Sequence, residues 1–259
     1  NLLIIQNEFD LMKEKSSNRH NILDFTEKHY RYLIKTAKKN YLFEPFTTKI
    51  KSPHILWRHD VDFSIHRASS LAKIENELGV KATYFLKLHS EFYNLFEKSI
   101  FEKVLKIIEF GHNIGLHFEH HFYNNKKRLE ENLRFERKIL EKIFSVKVKV
   151  FSFDSPTLSN ALDISDNKIS SMINAYGKGI KNNYHYCTDS NGYWRFERLA
   201  DVLENREYPY LHVLTHPGWW QKNPMKPRQR VERCVKHRGL ETLKTYDKIL
   251  KKTGRKNIG

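Results

Sequence analysis

Two aspartates separated by one residue could share a catalytic site. Asp60 and Asp62 belong to the sequence His-Asp-Val-Asp, which closely follows the apolar run Ile-Leu-Trp. If residues 55–59 form a strand, its two-residue period points both carboxylates to the same side near the strand's end. Two negative charges this close are costly unless a cation neutralises them or one stays protonated, so the pair suggests a metal ligand beside a general base. An ion pair with Arg58 or Arg67, or a helix N-cap at Asp62, explains the pair equally well.

A histidine-rich segment further along the chain could supply metal ligands. Four histidines fall within ten residues, and His117 and His121 among them are four residues apart. That spacing brings two imidazoles to one metal ion if the chain turns helically, and His120 competes with His121 as the second ligand. Glu119 could hydrogen-bond to a ligand. Two histidines with the carboxylate of Asp62 would make a recurrent catalytic set that leaves positions open for water and substrate.

A third cluster ends a late apolar run. His216 closes the sequence Leu-His-Val-Leu-Thr-His and is followed by Pro217, then by Trp219 and Trp220. This arrangement suits a titratable group at the floor of an aromatic-walled pocket, and both tryptophans are candidate sugar contacts. His216 could instead be a core residue or a support for another catalytic group.

The elements that must hold these clusters alternate between strand and helix. Apolar patterning predicts strands at 55–59, 82–88, 113–118 and 146–153 and helices at 64–78, 99–110 and 126–143. Such alternation indicates parallel strands covered by helices, in an open doubly wound sheet or a (β/α) barrel. In both architectures the active site lies at the carboxyl ends of the strands, where all three clusters fall.

The remaining segments fit a single domain around this unit. The patterns also predict helices at 22–39 and 228–252 and strands at 184–187 and 211–215. Residues 155–183 are interpreted as loops and short helices. We therefore expect residues 1–53 to form a helical lead-in packed on the barrel, and residues 54–259 to form the barrel with a basic C-terminal helix.

Composition places the chain among globular proteins and excludes several classes. Of its 259 residues, 39% are hydrophobic and 29% charged, which excludes intrinsic disorder and fibrous repeats. Two cysteines cannot build a disulfide framework and supply no paired-cysteine zinc motif, so a reducing compartment is favoured. No apolar run is long enough to span a membrane, and the start does not resemble a secretory leader. These features predict a cytoplasmic location.

The chain is strongly basic, with a formal net charge of +16 at pH 7. Residues 222–256 hold thirteen Lys or Arg against three Asp or Glu, and so carry +10 of that charge. An anionic partner would explain the excess: nucleic acid, a membrane surface, or a phosphorylated or carboxylated substrate. A solvated, lysine-rich helix face explains it equally well.

On these motifs the chain resembles polysaccharide deacetylases of the NodB-homology type, carbohydrate esterase family 4. The matching segments are His-Asp-Val-Asp, Gly-His-Asn-Ile-Gly-Leu-His-Phe-Glu-His-His and Leu-Thr-His. The resemblance implies a distorted (β/α) barrel with about seven strands. It implies Asp60 as catalytic base, His216 as general acid, and a divalent ion, with zinc expected, held by Asp62, His117 and His121.

One family motif is not matched. The family's third motif presents an Arg before Pro-Pro, and that Arg tunes the catalytic Asp, whereas this chain reads Phe-Ser-Phe-Asp-Ser-Pro. Asp154 or Ser155 takes the place of the Arg. A narrower resemblance, to deacetylase-like proteins encoded among bacterial surface-polysaccharide biosynthesis genes, rests on Asp-Ser-Asn-Gly-Tyr-Trp-Arg and Thr-His-Pro-Gly-Trp-Trp.

The resemblance implies a metal-dependent amidohydrolase that removes an N-acetyl or N-formyl group from an amino sugar. Asp60 would take the proton of a water activated by the metal, and His216 would protonate the leaving amine. Arg58 and Arg195 are candidate substrate contacts or structural ion-pair partners. The basic composition favours an anionic substrate linked to a nucleotide or a lipid diphosphate.

Two alternatives come from other functional classes. A basic nucleic-acid-binding protein would explain the charge, but no zinc finger, helix-turn-helix or RNA-binding aromatic signature is present, and the histidine cluster would be unexplained. We therefore do not expect a specific nucleic-acid partner. The second alternative is a catalytically inactive, sugar-binding relative, which the missing motif Arg suggests.

Overall fold

One mixed sheet organises the chain in a computed structural model, which describes residues 19–123, 128–157 and 160–258. Its strands, in chain order, are β1 (Leu42–Phe43), β2 (His54–Val61), β3 (Thr83–Leu86), β4 (Asn113–Phe118), β5 (Val150–Phe153), β6 (Lys168–Ile169), β7 (Met172–Asn174), β8 (His185–Ser190), β9 (Tyr193–Trp194) and β10 (Tyr210–Thr215). The helices are α1 (Glu27–Ala37), α2 (Ile65–Glu77), α3 (Lys98–Glu109), α4 (Leu129–Phe144), α5 (Lys178–Asn183), α6 (Leu199–Asn205) and α7 (Pro227–Lys252).

Seven strands form a parallel array in the order β7-β5-β4-β3-β2-β10-β8. The short strands β6 and β9 extend its two edges in antiparallel pairing, and β1 adds in parallel to β2. Among the described strands, no ladder joins β7 to β8, so the array curves without closing. The predicted single-domain α/β fold, a distorted (β/α) barrel with about seven strands, is confirmed.

The sheet is covered on both faces, as parallel sheets are. All eight residues of the central strand β2 are buried. Its outward side chain Trp57 belongs to the main core under the helices, and its inward Leu56 belongs to a smaller cluster inside the barrel. A Cβ at Gly115 on β4 would lie 2.7 Å from the Phe85 ring, so glycine there lets Phe85 fill the barrel interior.

The predicted N-terminal helix is divided into two elements. A 3₁₀ turn over Ile22–Phe25 precedes α1, and Thr26 caps α1 because its Oγ1 accepts from the backbone N–H of His29 at 3.2 Å. Tyr30, Leu33 and Ile34 on α1 are fully buried in the main core. The described part of the lead-in therefore packs on the barrel, while its residues before 19 lie outside the described residues.

The interpretation of residues 155–183 as loops and short helices is corrected by the structure. This segment contains the helix α5, the edge strand β6 and the barrel strand β7. Ser170 and Ser171, which join the two strands, both lie in the left-handed region, with φ of 50° and 63°. Strands of two and three residues are too short to show a side-chain period, and the turn lacks the usual Asn-Gly or Gly-Gly signal.

The long basic helix predicted at the C-terminal end is confirmed as α7. A proline occupies its first turn, where no backbone donor is needed. None of the helices in the described ranges is long and apolar enough to cross a membrane.

Candidate active site

The predicted chemical groups converge at the carboxyl ends of the parallel strands. There they line one cavity of about 530 Å³. Its carboxylate and imidazole side chains are Asp60, Asp62, His117, Asp154, Asp189, His212 and His216. Five of the barrel strands place the six that the site uses. Strand β2 carries Asp60 and ends just before Asp62, β5 and β10 end just before Asp154 and His216, and β4 and β8 carry His117 and Asp189. The sequence therefore assembles one site from distant segments, as the three clusters predicted.

The turn after β2 fixes the position of Asp62. Tyr93 Oη donates to the backbone oxygen of Val61 at 2.7 Å. Ser64 caps α2, since its Oγ accepts from the backbone N–H of Arg67 at 3.3 Å. Asp62 is therefore not the helix cap that its position allowed, and its carboxylate remains available to the cavity.

His117 stands among three carboxylates. Its Nε2 lies 3.3 Å from Asp62 Oδ1, 3.4 Å from Asp154 Oδ1 and 3.7 Å from Asp60 Oδ2. Burial by itself lowers the pKa of His117, but the carboxylates outweigh it and raise the pKa to about 10. The centre of the site is thus rich in negative charge and favours a cation.

The donor set fits a divalent ion. Asp62, His117 and Asp154 each offer one ligand atom, and these atoms lie within 4.8 Å of one another. Asp62 Oδ1 is buried and has no hydrogen-bond partner of acceptable geometry. His117 Nδ1 and Ser152 Oγ are 2.8 Å apart, so a proton on Nδ1 leaves Nε2 free to ligate. Two carboxylates and one imidazole suit zinc and related divalent ions.

His121 lies in a neighbouring group instead. It is exposed and offers its ligand atom together with Glu119 and Asp154. Lys87 Nζ already lies 3.1 Å from Glu119 Oε1 and 3.2 Å from Asp154 Oδ2, and so balances these carboxylates. The structure therefore brings Asp154, rather than His121, to Asp62 and His117. His120, the competing candidate, is buried beside the Phe153 ring and, within the described residues, belongs to neither group.

Asp60 is held ionised by Arg58 from the same strand. Arg58 donates from Nε to Asp60 Oδ1 and from Nη2 to Oδ2, both at 2.7 Å, with both side chains buried. Burial raises the pKa of Asp60, but Arg58 and His117 outweigh it and lower the pKa to about 2. Asp60 is therefore a carboxylate at neutral pH, as a general base must be.

This ion pair supplies the guanidinium that the unmatched motif lacks. The positive charge beside Asp60 comes from Arg58, and Asp154 joins the metal-ligating group instead of standing in for the Arg. The prediction of Arg58 as a substrate contact is corrected, since its side chain is fully buried between the rings of Phe85 and Tyr176. Its guanidinium pairs with Asp60 and does not line the cavity, so it is not placed to contact a substrate.

His216 is oriented by Asp189. Its Nδ1 is hydrogen-bonded to Asp189 Oδ1, and the same carboxylate accepts from the His216 backbone N–H at 3.0 Å and from Trp220 Nε1 at 3.1 Å. Burial lowers the pKa of His216, but Asp189 outweighs it and raises the pKa to about 9. The free Nε2 lies 3.9 Å from Asp62 Oδ2 and can carry a proton into the cavity.

The predicted substrate contacts are only partly placed at the cavity. Arg195 is exposed and lines it. Trp220 is fully buried and holds Asp189, and Trp219 packs against Phe63 with ring centroids 4.8 Å apart, so neither indole reaches the cavity. The aromatic wall is formed by tyrosines instead: Tyr176, Tyr184 and Tyr186.

Sequence reasoning missed the functional positions of Asp154 and Asp189. Both carried a usable signal. Asp154 directly follows a predicted strand, as Asp60 does. Asp189 comes two residues after another predicted strand. Neither stands in a cluster of similar residues, and this isolation hid them.

Comparisons with known proteins were made by sequence and by structure. No family model matches the chain, and no curated protein matches it. Solved structures do match. One is a family 4 carbohydrate esterase from Bacillus anthracis, with 16% identity, coverage of 80% of this chain and 85% of that one, and a TM-score of 0.41.

Two other matches represent different members of the same group. The polysaccharide deacetylase Bc1974 from Bacillus cereus shares 14% identity over 71% of this chain and 88% of its own, with a TM-score of 0.42. A family 4 pseudoenzyme from Bacillus anthracis shares 14% identity over 72% of this chain and 62% of its own, with a TM-score of 0.41. The chain is thus similar in structure to these three proteins, at low identity.

Proposed function

We propose that the protein is a metal-dependent hydrolase that removes an N-acyl group, acetyl or formyl, from an amino sugar. The observation that carries this proposal is that a base and an acid flank one metal-ligating group. Asp60 lies 3.7 Å from His117 Nε2 on one side, and His216 Nε2 lies 3.9 Å from Asp62 on the other. Amide hydrolysis needs both, because a water must lose a proton and the departing amine must gain one.

The cofactor of the proposed reaction is a divalent ion, with zinc expected, held by Asp62, His117 and Asp154. When bound, such an ion polarises the scissile carbonyl and makes a water more acidic. Ser152 orients the His117 imidazole ring for this role through the contact at Nδ1. The buried Asp62 Oδ1, which has no hydrogen-bond partner among the described residues, supports the assignment.

The proton transfers are assigned to two side chains. Asp60 accepts the proton of the attacking water, and its ion pair with Arg58 keeps it ionised and fixed in direction. His216 donates from Nε2 to the leaving nitrogen, while Asp189 holds Nδ1 and stabilises the imidazolium. The missing motif Arg had suggested an inactive relative, and Arg58 weakens that suggestion by pairing with the catalytic carboxylate.

The substrate class follows from the cavity walls and from the motifs. The tyrosines Tyr176, Tyr184 and Tyr186 offer rings and hydroxyls to a sugar. Arg195 and Lys181 line the same cavity and suit an anionic substrate linked to a nucleotide or a lipid diphosphate. We assign the product to bacterial surface-polysaccharide synthesis and the reaction to the cytoplasm, a location that the free cysteines Cys187 and Cys234 also suit.

The test is release of acetate or formate from a panel of N-acylated amino sugars, offered free and as nucleotide conjugates to zinc-loaded protein. The expected result is turnover by the wild type, with losses of at least about 100-fold in Asp60→Asn and His216→Ala. Metal content of both variants serves as the control, because neither residue belongs to the ligand set. Equal release by wild type and both variants would exclude the proposed roles.

A further inference from the structure

A second cavity lies outside the catalytic site. This groove, of about 810 Å³, runs between the starts of α2 and α3 and one side of α7. It shares no lining residue with the catalytic cavity among the described residues. Residues close in sequence line different cavities here: Asp62 and His216 line the catalytic cavity, whereas Phe63 and Gly218 line the groove. The groove therefore needs an explanation of its own.

Arg230, in the first turns of α7, is the unusual group of this groove. It lines the groove and is fully buried, yet among the described residues Nε, Nη1 and Nη2 have no hydrogen-bond partner. Its guanidinium lies near the Phe25 ring, 5.5 Å from Cζ, and beside Gly192, and the Asp189 carboxylate acts on its charge without forming a hydrogen bond to it. Buried guanidinium groups are normally paired, because an uncompensated buried charge is costly. An unpaired, buried guanidinium retained at that cost indicates that an anion binds beside it.

The surroundings of Arg230 are also positive. Arg233, Lys103 and Lys248 line the same groove. Burial lowers the pKa of Arg233, and the charge of nearby Arg67 lowers it further. The charge of Arg233 in turn lowers the pKa of Arg230, and an anion would be stabilised beside such a group of cations.

Other cations of the groove already have partners, which separates them from Arg230. Arg67 is paired with Glu27 at 2.6 Å, and Arg238 is paired with Glu97 at 3.1 Å. Arg233 donates to the side chain of Gln221. These arginines of the groove thus have hydrogen-bond or ion-pair partners, whereas the five N–H donors of the Arg230 guanidinium have none among the described residues.

We propose that this groove binds a phosphate-bearing ligand, with Arg230 as its deepest contact. The planar fork of a guanidinium matches two oxygens of a phosphate group. The volume suits a diphosphate or a nucleotide-sized molecule. This site is separate from the proposed catalytic function and does not depend on it.

Inorganic pyrophosphate is the probe, measured by calorimetry on the intact protein. The wild type is expected to bind one pyrophosphate in the groove, and Arg230→Met to weaken that binding at least tenfold. Arg228→Met is the matched control, because Arg228 lies on the same helix, is exposed and is paired with Glu232 at 3.0 Å. Equal affinity in wild type and Arg230→Met, or equal losses in both variants, would overturn the proposal.

Pyrophosphate also binds metal ions, so an Asp62→Ala variant separates the two cavities. Binding that survives in Asp62→Ala and disappears in Arg230→Met supports the groove. Binding that disappears in Asp62→Ala and survives in Arg230→Met places the anion at the metal site and overturns the proposal. Uridine diphosphate and vesicles containing phosphatidic acid then show whether the Arg230-dependent ligand comes from a nucleotide or from a lipid headgroup.

Thermal unfolding gives a second readout that a merely structural role would not produce. Without anion, Arg230→Met is expected to melt at or above the wild-type temperature, because an unpaired buried charge has been removed. Pyrophosphate should raise the melting temperature of the wild type and not that of the variant. A lower melting temperature in Arg230→Met, with an unchanged shift by pyrophosphate, would assign Arg230 to structure alone.

Discussion

Arg58 and Asp60 form a bidentate ion pair within one strand, with both donor–acceptor distances at 2.7 Å. Their separation by one residue places both side chains on the inner face of β2, at the edge of the catalytic cavity. The pair is buried, and the guanidinium, together with His117, keeps the carboxylate charged. Burial alone would favour the protonated form of Asp60. The ion pair keeps Asp60 ionised at neutral pH, so that it can act as a base.

Replacing Arg58 with methionine tests this dependence. Arg58→Met leaves Asp60 buried without its countercharge, so we expect the pKa of Asp60 to rise and the free energy of unfolding to fall by about 3–5 kcal/mol. Denaturant unfolding measures the loss, and turnover should fall with it. Arg58→Lys is the control, since it keeps the charge but loses the two-pronged contact, and its effects should be smaller. Wild-type stability and turnover in Arg58→Met would contradict the assigned role.

The contact between Asp189 and His216 predicts a pH dependence. The pKa of His216 is raised to about 9, so its proton is present at neutral pH and is lost as the pH rises through about 9. The rate should therefore decline on the alkaline side near that pH. In Asp189→Asn the pKa of His216 should drop, moving this decline to lower pH, and the rate at neutral pH should fall by about 10²–10⁴-fold. Titration of the His216 ring by NMR checks the same shift without substrate, and an unchanged titration would refute it.

Glu75 should control the acid stability of the fold. It lies on the buried face of α2 and accepts from Tyr84 Oη at 2.6 Å, with His59 Nε2 also at 2.6 Å. Burial raises the pKa of Glu75, but His59 and the hydrogen bonds outweigh it and lower the pKa below 4.5. Its stabilisation is therefore full above its usual pKa and is lost as the pH falls through the lowered value.

The variant Glu75→Gln measures this contribution. At pH 7 we expect the free energy of unfolding to fall by about 3–5 kcal/mol, because a buried charge pair loses one partner. The difference between wild type and variant should shrink toward acid pH. A difference that stays the same from pH 7 down to a pH below the lowered pKa of Glu75 would show that the Glu75 charge contributes nothing.

The ammonium group of Lys87 should neutralise the carboxylates near His121 and so take the place of a metal ion there. Lys87→Met leaves Glu119 and Asp154 without the ammonium that lies within 3.2 Å of each. We expect a lower melting temperature in the presence of a chelator and partial recovery when zinc is added, since a second cation can then take its place. Lys98→Met, at an exposed helix position, should change neither value. A Lys87→Met protein that melts like the wild type under both conditions would exclude this role.

The sequence predicted the strand ends that carry the site, and with them Asp60, Asp62 and His117. This worked because β2 and β4 are long enough to show their apolar pattern and because a parallel sheet gathers its carboxyl ends. It could not predict which way Trp219 and Trp220 face. The 3₁₀ turn over Pro217–Trp219 redirects the chain, so that Trp220 points inward to Asp189.

Short elements and isolated residues marked the limit of prediction. The barrel strand β7 has three residues, and its polar surroundings resemble those of a loop. The ligand position of Asp154 depends on where β5 lies beside β4, a register set by tertiary pairing and not by local sequence. His121 had the helical spacing of a ligand pair, but the chain after β4 makes a 3₁₀ turn over His120–Phe122, which changes its direction.

The most direct test of the account is the metal content of the purified protein, measured by elemental analysis on wild type, Asp154→Ala and His121→Ala. We predict about one divalent ion per chain in the wild type and in His121→Ala, and loss of that ion in Asp154→Ala, since Asp154 shares the ligand group with Asp62 and His117. Retention in Asp154→Ala with loss in His121→Ala would contradict the ligand set. A wild-type protein that holds no zinc, cobalt or nickel even after incubation with them would contradict the proposed hydrolase.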